Sequence, residues 1–350
     1  MTTMTAYRLV QWQAAAQFRE VPVPVPGAGE VLVRTDAVGL CHSDLLLQDA
    51  PAGAWPFAPP FTLGHEVAGT VAALGPAVSS QSSSVLREGD AVLLSCVHSC
   101  GLCDRCIRGQ ENYCALSLRF TTRGVGLDGG LAEYVVAPAR EAVRLRSLTP
   151  RQAAVLSDAG ATAYHAVRCS LAKLPPGSTA LVIGAGGLGG FAIQHLRLLS
   201  RVRVIAVDTA AHRLEFAREL GADELLTSDD STAARIRELT GGEGCAAVFD
   251  FVGTDDTLAL SLASAAAAGR ITVCGAAGGQ VAAGWGRLPG GCELVVSYGH
   301  TLADIRDVVA LAEQGAFRIE TEDFPFAQVA DAYERLRSGA LSSRALITMH

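Results

Sequence analysis

The chain has no cluster of lysine or arginine, and its formal net charge is −7. Such a surface offers little to a phosphate backbone or an anionic lipid, so neither nucleic acid nor membrane is expected as a partner. No apolar run is long enough to span a bilayer. The stretch from Met1 to Trp12 lacks the basic start and continuous apolar core of a secretory signal, so a cytoplasmic setting is expected. Internal repeats and stretches of disordered composition are also missing, and apolar residues make up 49% of the chain. What is present is length, glycine and cysteine. The 350 residues exceed one ordinary domain, so two are expected. In a reducing compartment the ten cysteines should be thiols or metal ligands rather than disulfides.

With 37 glycines, a single glycine motif carries little weight by itself. The run Gly184-Ala185-Gly186-Gly187-Leu188-Gly189 is better placed than most. An apolar strand, Leu181 to Ile183, leads into it, and a helical pattern leads out to a second strand, Val202 to Val207, that ends on Asp208. Strand, glycine turn, helix, strand and acidic residue is the order of a dinucleotide-binding βαβ unit. Gly184 allows the tight turn, Gly186 lets the backbone approach a pyrophosphate, and Gly189 lets the helix pack closely on the sheet. The helix N-terminus offers N–H groups and a positive dipole end to the phosphates. Asp208 can accept from both hydroxyls of the adenosine ribose and repels a 2′-phosphate, so NAD(H) is read rather than NADP(H).

The first third reads as short strands. Glu30 to Val38 alternates as a half-buried strand does, whereas the prolines of Val21 to Pro26 exclude a central strand. Further strands are expected at Val67 to Leu74, Asp90 to Ser95 and Leu131 to Val136, with a serine-rich surface loop from Ser79 to Ser84. The loop carrying Trp55 and Phe57 is either pinned on the core by its aromatics or forms a wall of a substrate pocket. Cys100, Cys103, Cys106 and Cys114 are spaced closely enough to surround one tetrahedral metal. Iron–sulfur ligation competes, but the last gap is long and no proline follows the fourth cysteine. A structural Zn²⁺ is the reading, with Cys96 left as a packed thiol. Thr149 to Gln152 is a capping box that opens a helix running toward Ser157 and Asp158. A second helix is expected at Thr162 to Leu171. Strands and helices then alternate, with helix residues near Thr257 to Ala268 and strand Arg270 to Cys274, which implies an α/β parallel sheet covered on both faces. Past roughly Gly290 the pattern changes to strand Glu293 to Tyr298, helices Ala303 to Gln314 and Phe326 to Arg337, and a last strand, Arg344 to Thr348.

Cys41, His65, Glu66 and Asp158 are far apart, and spacing alone does not gather them. Their surroundings do: Gly39-Leu40-Cys41-His42-Ser43-Asp44, Gly64-His65-Glu66, the four-cysteine loop, Ser157-Asp158-Ala159-Gly160 and the glycine turn. In this set the whole chain resembles the zinc-dependent medium-chain alcohol dehydrogenases, most of all bacterial NAD-dependent secondary alcohol dehydrogenases. The resemblance implies a GroES-like β-rich catalytic domain (residues 1–150 and 291–350) and a Rossmann domain (residues 151–290). It implies two zinc ions per chain and NAD(H), with Cys41, His65 and Asp158 holding a catalytic zinc and Glu66 able to exchange with its water or substrate. Asp44 would orient His65. Ser43 would take the alcohol proton while hydride passes to the nicotinamide. His42 and Arg344 would reach the pyrophosphate, Arg213 the adenine, and Thr162 the nicotinamide, with Val252 and Gly275 also at the cofactor. Each of His42, Arg213 and Thr162 has an ordinary structural alternative.

Two departures from the family pattern concern the substrate. Leu46 stands where a relay histidine is frequent, and Gly299, beside Tyr298, stands where the secondary-alcohol branch often has a bulky side chain. Together they imply a roomy pocket and faster turnover of bulky or aryl ketones than of acetone or ethanol. The expected function is a ketone reductase or alcohol dehydrogenase, assembled as a homodimer or homotetramer. Reduction of an activated C=C or C=N bond on the same scaffold is the first competitor, and a non-catalytic NAD-binding protein the second.

Overall fold

Alternation from Glu30 onward yields the central strand of the first unit, Glu30–Gly39, with Val31, Val33 and Thr35 buried in turn. The structure is a computed structural model that describes residues 2–78, 86–117, 121–341 and 343–349. The serine-rich stretch from Ser79 to Ser84 lies outside the described residues. The chain divides into two units, Met1–Ala161 with Gly299–His350, and Thr162–Tyr298. Both boundaries fall later than the 150/151 and 290/291 expected. The reason at the first is packing: the turns Pro150–Ala153 and Ala154–Leu156 lie against Glu30–Gly39 and Glu66–Leu74 and stay with that sheet.

In the first unit one sheet runs in the order Ala142–Arg144, Ala91–Leu94, Glu66–Leu74, Glu30–Gly39, Arg344–Thr348, Thr321–Pro325, and Tyr134–Pro138 also pairs with Glu30–Gly39. Among the described residues strand Gln17–Pro22 pairs with Thr3–Leu9 alone, so Pro22 sits at a sheet edge, where a lost donor costs little, and Pro24 and Pro26 fall outside the strand. The strand expected at Leu131 to Val136 begins later, at Tyr134. Leu131 is taken by another sheet: it accepts from Tyr7 N at 2.7 Å and donates to Leu63 O at 3.0 Å. Two further surprises are strand Thr321–Pro325, which the sequence did not reveal, and helix His42–Asp49, which carries the residues after Cys41.

The second unit is a six-stranded parallel sheet in the order Glu224–Thr227, Arg203–Asp208, Thr179–Ile183, Cys245–Asp250, Ala265–Val273, Glu293–Val296. Its order reverses at Thr179–Ile183, which makes it a doubly wound Rossmann sheet whose switch point lies at the glycine turn. Ala265 to Ala268 was expected to be helical. It is strand instead, because Cys245 pairs with Ala265 and sheet pairing overrides alanine's helix propensity. The helix before it ends at Ser264. The other helix in doubt, Ala159–Arg168, starts earlier than Thr162, so Thr162 lies inside it, buried. Among the described residues no helix is long and apolar enough to cross a membrane.

Candidate active site

Sheet register gathers the first cluster. Gly39 pairs with Glu66 across two antiparallel strands, so Cys41 and His65 emerge side by side. The last strand pairs Leu346 with Gly39 and brings Arg344 to the same end. A side chain at Gly39 would strike the Glu66 carboxylate at 2.0 Å, so this position must be glycine for Glu66 to lie where it does. Asp158 arrives from the packed turns above the sheet, anchored by Ser157, whose hydroxyl donates to Leu94 O at 2.5 Å. One ligand atom each from Cys41, His65, Glu66 and Asp158 lies within 4.8 Å of the others.

The donor set is sulfur, imidazole and carboxylate, which suits Zn²⁺. Asp158 Oδ2 is 3.4 Å from Cys41 Sγ and 3.7 Å from His65 Nε2. Asp44, fully buried, sits 3.2 Å from His65 Nδ1, which turns Nε2 toward the cluster. Ser43 Oγ lies 3.5 Å from His65 Nε2. Burial pushes the Cys41 thiol up, but the Arg344 guanidinium and His65 outweigh it and hold the thiol below its ordinary value. Burial likewise disfavours charge on His65, yet Asp44 and Asp158 raise it well above the usual imidazole range. Three carboxylates (Asp44, Glu66 and Asp158) and an acidified thiol are thus gathered against two cationic groups, Arg344 beside Glu66 and Asp158, and His65 beside Asp44. A buried place with that surplus of negative charge is neutralised by a divalent cation.

Arg344 lies within this cluster. It is 7% exposed, bonds the Glu66 carboxylate, and has Nη2 3.4 Å from Asp158 Oδ2. Its guanidinium is therefore committed to the carboxylates of this cluster, and a pyrophosphate would have to compete with them.

The second cluster is built locally. The sulfurs of Cys100, Cys103, Cys106 and Cys114 lie within 4.8 Å of one another. Backbone N–H groups of Leu102 and Cys103 each donate to Cys100 Sγ at 3.3 Å, and Cys100 N donates to Cys114 Sγ at 3.4 Å. Backbone donors from Cys106 and Ala115 bring the Cys103 thiol down to about 6, while burial pushes Cys106 up to about 12. Four sulfurs held this close together suit one tetrahedral metal.

In the second unit the glycine turn is shaped as its sequence requires. Gly184 has φ +84°, Gly186 faces open space, and a side chain at Gly189 would strike Gly184 O at 1.9 Å. Gly187 opens helix Gly187–Leu199, with Leu188 in its first turn. Val252 and Gly275 meet beside this turn: a side chain at Gly184 would touch Val252, and one at Gly275 would strike the Val252 backbone at 2.1 Å. Asp208 already accepts from Ala185 N and Ala210 N, both at 2.9 Å, so it braces the turn as well as offering lone pairs to a ribose. Arg213 Nη1 is 3.9 Å from Asp208.

Of the expected pocket residues, Trp55 and Phe57 stack on each other at 5.7 Å and pack on the core of the first unit, which favours the pinned-loop alternative. Leu46 is 40% exposed and His42 exposed, both on helix His42–Asp49. Tyr298 is half-buried at the end of the second unit. Gly299 has φ +54°, and a side chain there would meet Val97 at 2.8 Å. Backbone conformation and Val97 account for that glycine without any appeal to pocket size.

Cys96 is a buried thiol, as its sequence position implies, but its place beside the Asp158 cluster was not read. Strand Ala91–Leu94 pairs Leu93 with Ala68, and continuing that register sets Cys96 opposite His65. Its sulfur lies 4.0 Å from Asp158 Oδ1 and 3.9 Å from His300 Nδ1. A strand neighbour of the Gly64-His65-Glu66 segment was the available signal. Glu141 was missed too: fully buried, it is 2.8 Å from Arg123 and accepts from Ser99 N at 3.1 Å.

The profile of the alcohol dehydrogenase GroES-like domain matches residues 27–147, and that of the zinc-binding dehydrogenases matches residues 187–314. An NAD-dependent alcohol dehydrogenase of Sulfolobus acidocaldarius is 31% identical, over 98% of this chain and 99% of its own length. The alcohol dehydrogenase of Aeropyrum pernix superposes with a TM-score of 0.90 at 29% identity, covering 99% of this chain and all of that one. Acetophenone reductase from Geotrichum candidum, solved with NAD, gives 0.85 at 29% identity over 99% and 97% of the two chains. The chain belongs to the zinc-dependent medium-chain alcohol dehydrogenase family.

Proposed function

We propose that this protein is a zinc-dependent enzyme of the EC 1.1.1 type that interconverts alcohols and carbonyl compounds with NAD(H). The observation that carries the reading is the buried convergence of Cys41, His65, Glu66 and Asp158 donor atoms, with the Ser43 hydroxyl 3.5 Å from His65 Nε2. When bound, zinc supplies Lewis acidity to the substrate oxygen and NAD(H) supplies or takes the hydride. The protein's part is positioning and proton transfer. Cys41, His65 and Asp158 hold the ion, Asp44 fixes the His65 ring, and Arg344 keeps Glu66 in place. Ser43 Oγ relays the alcohol proton in oxidation, accepting it while passing its own hydroxyl proton on towards the cofactor ribose and solvent, and runs the relay backwards in reduction. A second zinc in the four-cysteine lobe, a homo-oligomeric state and a cytoplasmic location complete the reading.

Secondary alcohols and bulky ketones are the proposed substrates, in line with the similarity to acetophenone reductase. A panel of ketones, alcohols, enones and imines, followed by NADH and NADPH absorbance side by side, tests both substrate and cofactor. Aryl ketones with NADH should lead. Preference for acetone removes the roomy pocket, and preference for enones or imines replaces the reaction. Ser43→Ala should lower kcat for ketones by about 10²-fold with bound zinc unchanged.

A further inference from the structure

The two oxygens of Asp158 have different company. Oδ2 faces Cys41 Sγ and Arg344 Nη2, both at 3.4 Å, and His65 Nε2 at 3.7 Å. Oδ1 accepts from Cys96 Sγ at 4.0 Å. Cys96 is 8% exposed, and its backbone is fixed on both sides. Thr122 Oγ1 donates to Cys96 O, and Arg123 donates to Ser95 O at 2.7 Å. On its other flank lies the fully buried His300, with Nδ1 3.9 Å from Cys96 Sγ and Nε2 3.2 Å from Ser95 Oγ.

A thiol has one proton and can give it to only one neighbour. A carboxylate attracts that proton more strongly than a neutral imidazole nitrogen does. With the Cys96 S–H on Asp158, the sulfur is left to accept from His300 Nδ1, while Ser95 Oγ lies 3.2 Å from both His300 Nε2 and Val97 O.

We propose that Cys96, oriented by His300, is a positioning residue that occupies Oδ1 of Asp158 and so reserves Oδ2 for the metal. This rests on the reading of Cys41, His65 and Asp158 as a metal site. Without the thiol the carboxylate is free to turn and offer both oxygens to the ion.

The test uses the full-length protein with zinc in the four-cysteine lobe and Co²⁺ in the Cys41 cluster, comparing wild type, Cys96→Ser and Cys96→Ala. Alanine removes the donor and serine keeps one. Cys96→Ala should release cobalt to a chelator about 10–100-fold faster and shift the visible d–d bands, while Cys96→Ser stays within about twofold of wild type. The thiolate-to-cobalt absorption should be equal in all three, because Cys41 is unchanged. Retained lobe zinc and an unaltered circular-dichroism spectrum report that the variants fold. Release from Cys96→Ala at the wild-type rate overturns the proposal, as does a serine variant no better than alanine. Loss of charge-transfer intensity in Cys96→Ala overturns it by making Cys96 a ligand. A wild-type protein that holds metal only in the lobe overturns the metal-site reading itself, and this inference with it.

Discussion

The two clusters of the first unit each gather four ligand residues within 4.8 Å, yet they are assembled in opposite ways. The lobe takes its cysteines from one short loop with almost no core of its own: Leu102, Ile107 and Leu116 are 80%, 73% and 73% exposed. Its order depends on what the sulfurs hold. The Cys41 cluster takes its residues from the ends of packed strands and from turns more than a hundred positions away, over Val38, Leu40 and Leu63, all fully buried. Here the fold makes the site, and a metal adds chemistry. One cluster is structure waiting for a metal; the other is a scaffold that already exists.

Cys103→Ser should therefore have the largest effect, and on structure. A structural zinc contributes on the order of 10 kcal/mol to folding of its own module. Zinc should fall by one per chain, and limited proteolysis should cut between Cys100 and Leu116, where wild type resists. Turnover at low temperature should survive. If instead the lobe stays protease-resistant without zinc, the contrast between the clusters fails.

Cys41→Ser should give the converse. Losing Lewis-acid stabilisation of several kcal/mol lowers kcat/KM about 10³-fold. Thermal unfolding should move little, because Cys41 sits at a helix start and is not part of the apolar core cluster. Metal analysis and calorimetry on one preparation check both halves. A large drop in Tm would mean the second cluster is also a structural staple.

This contrast also governs what could be read before the fold was known. The lobe was legible because metal-ligand spacing is local. So was the glycine turn, whose strand, helix and acidic residue follow one another within 30 residues of chain, as the motif requires. The Cys41 cluster was legible only through resemblance, since its geometry comes from the pairings of Gly39 with Glu66 and with Leu346. Cys96 escaped for the same reason, as its partners Asp158 and His300 are distant in sequence. The contacts of Arg344 with Glu66 and Asp158 were hidden because a terminal-strand arginine says nothing about which carboxylates share its strand end. Ala265 to Ala268 misled because alanine favours helix locally while the parallel sheet selects strand.

Glu141 joins the two regions and gives the smallest of these effects. Segment 95–100 runs from Cys96, beside Asp158, to Cys100, the first lobe ligand. Glu141 pins it through Ser99 N at 3.1 Å and, by its own carbonyl, through Ser95 N at 2.8 Å. Burial pushes the Glu141 carboxyl up, but His98 and Arg123 outweigh it and hold it below the usual range. A carboxylate depressed on folding stabilises above its unfolded pKa, near 4.3, and that contribution is lost as pH falls through the lower folded value. Glu141→Gln leaves Arg123, 3% exposed, without its counter-charge and should cost about 3 kcal/mol at neutral pH. Its stability should also decline less steeply than that of wild type below about pH 4.5, as chemical denaturation at several pH values would reveal. If the clusters are independent, this variant loosens the lobe and leaves kcat at 25 °C unchanged. A fall in kcat with both zinc ions retained would instead mean that segment 95–100 transmits strain from one cluster to the other, with Cys96 as the point of delivery.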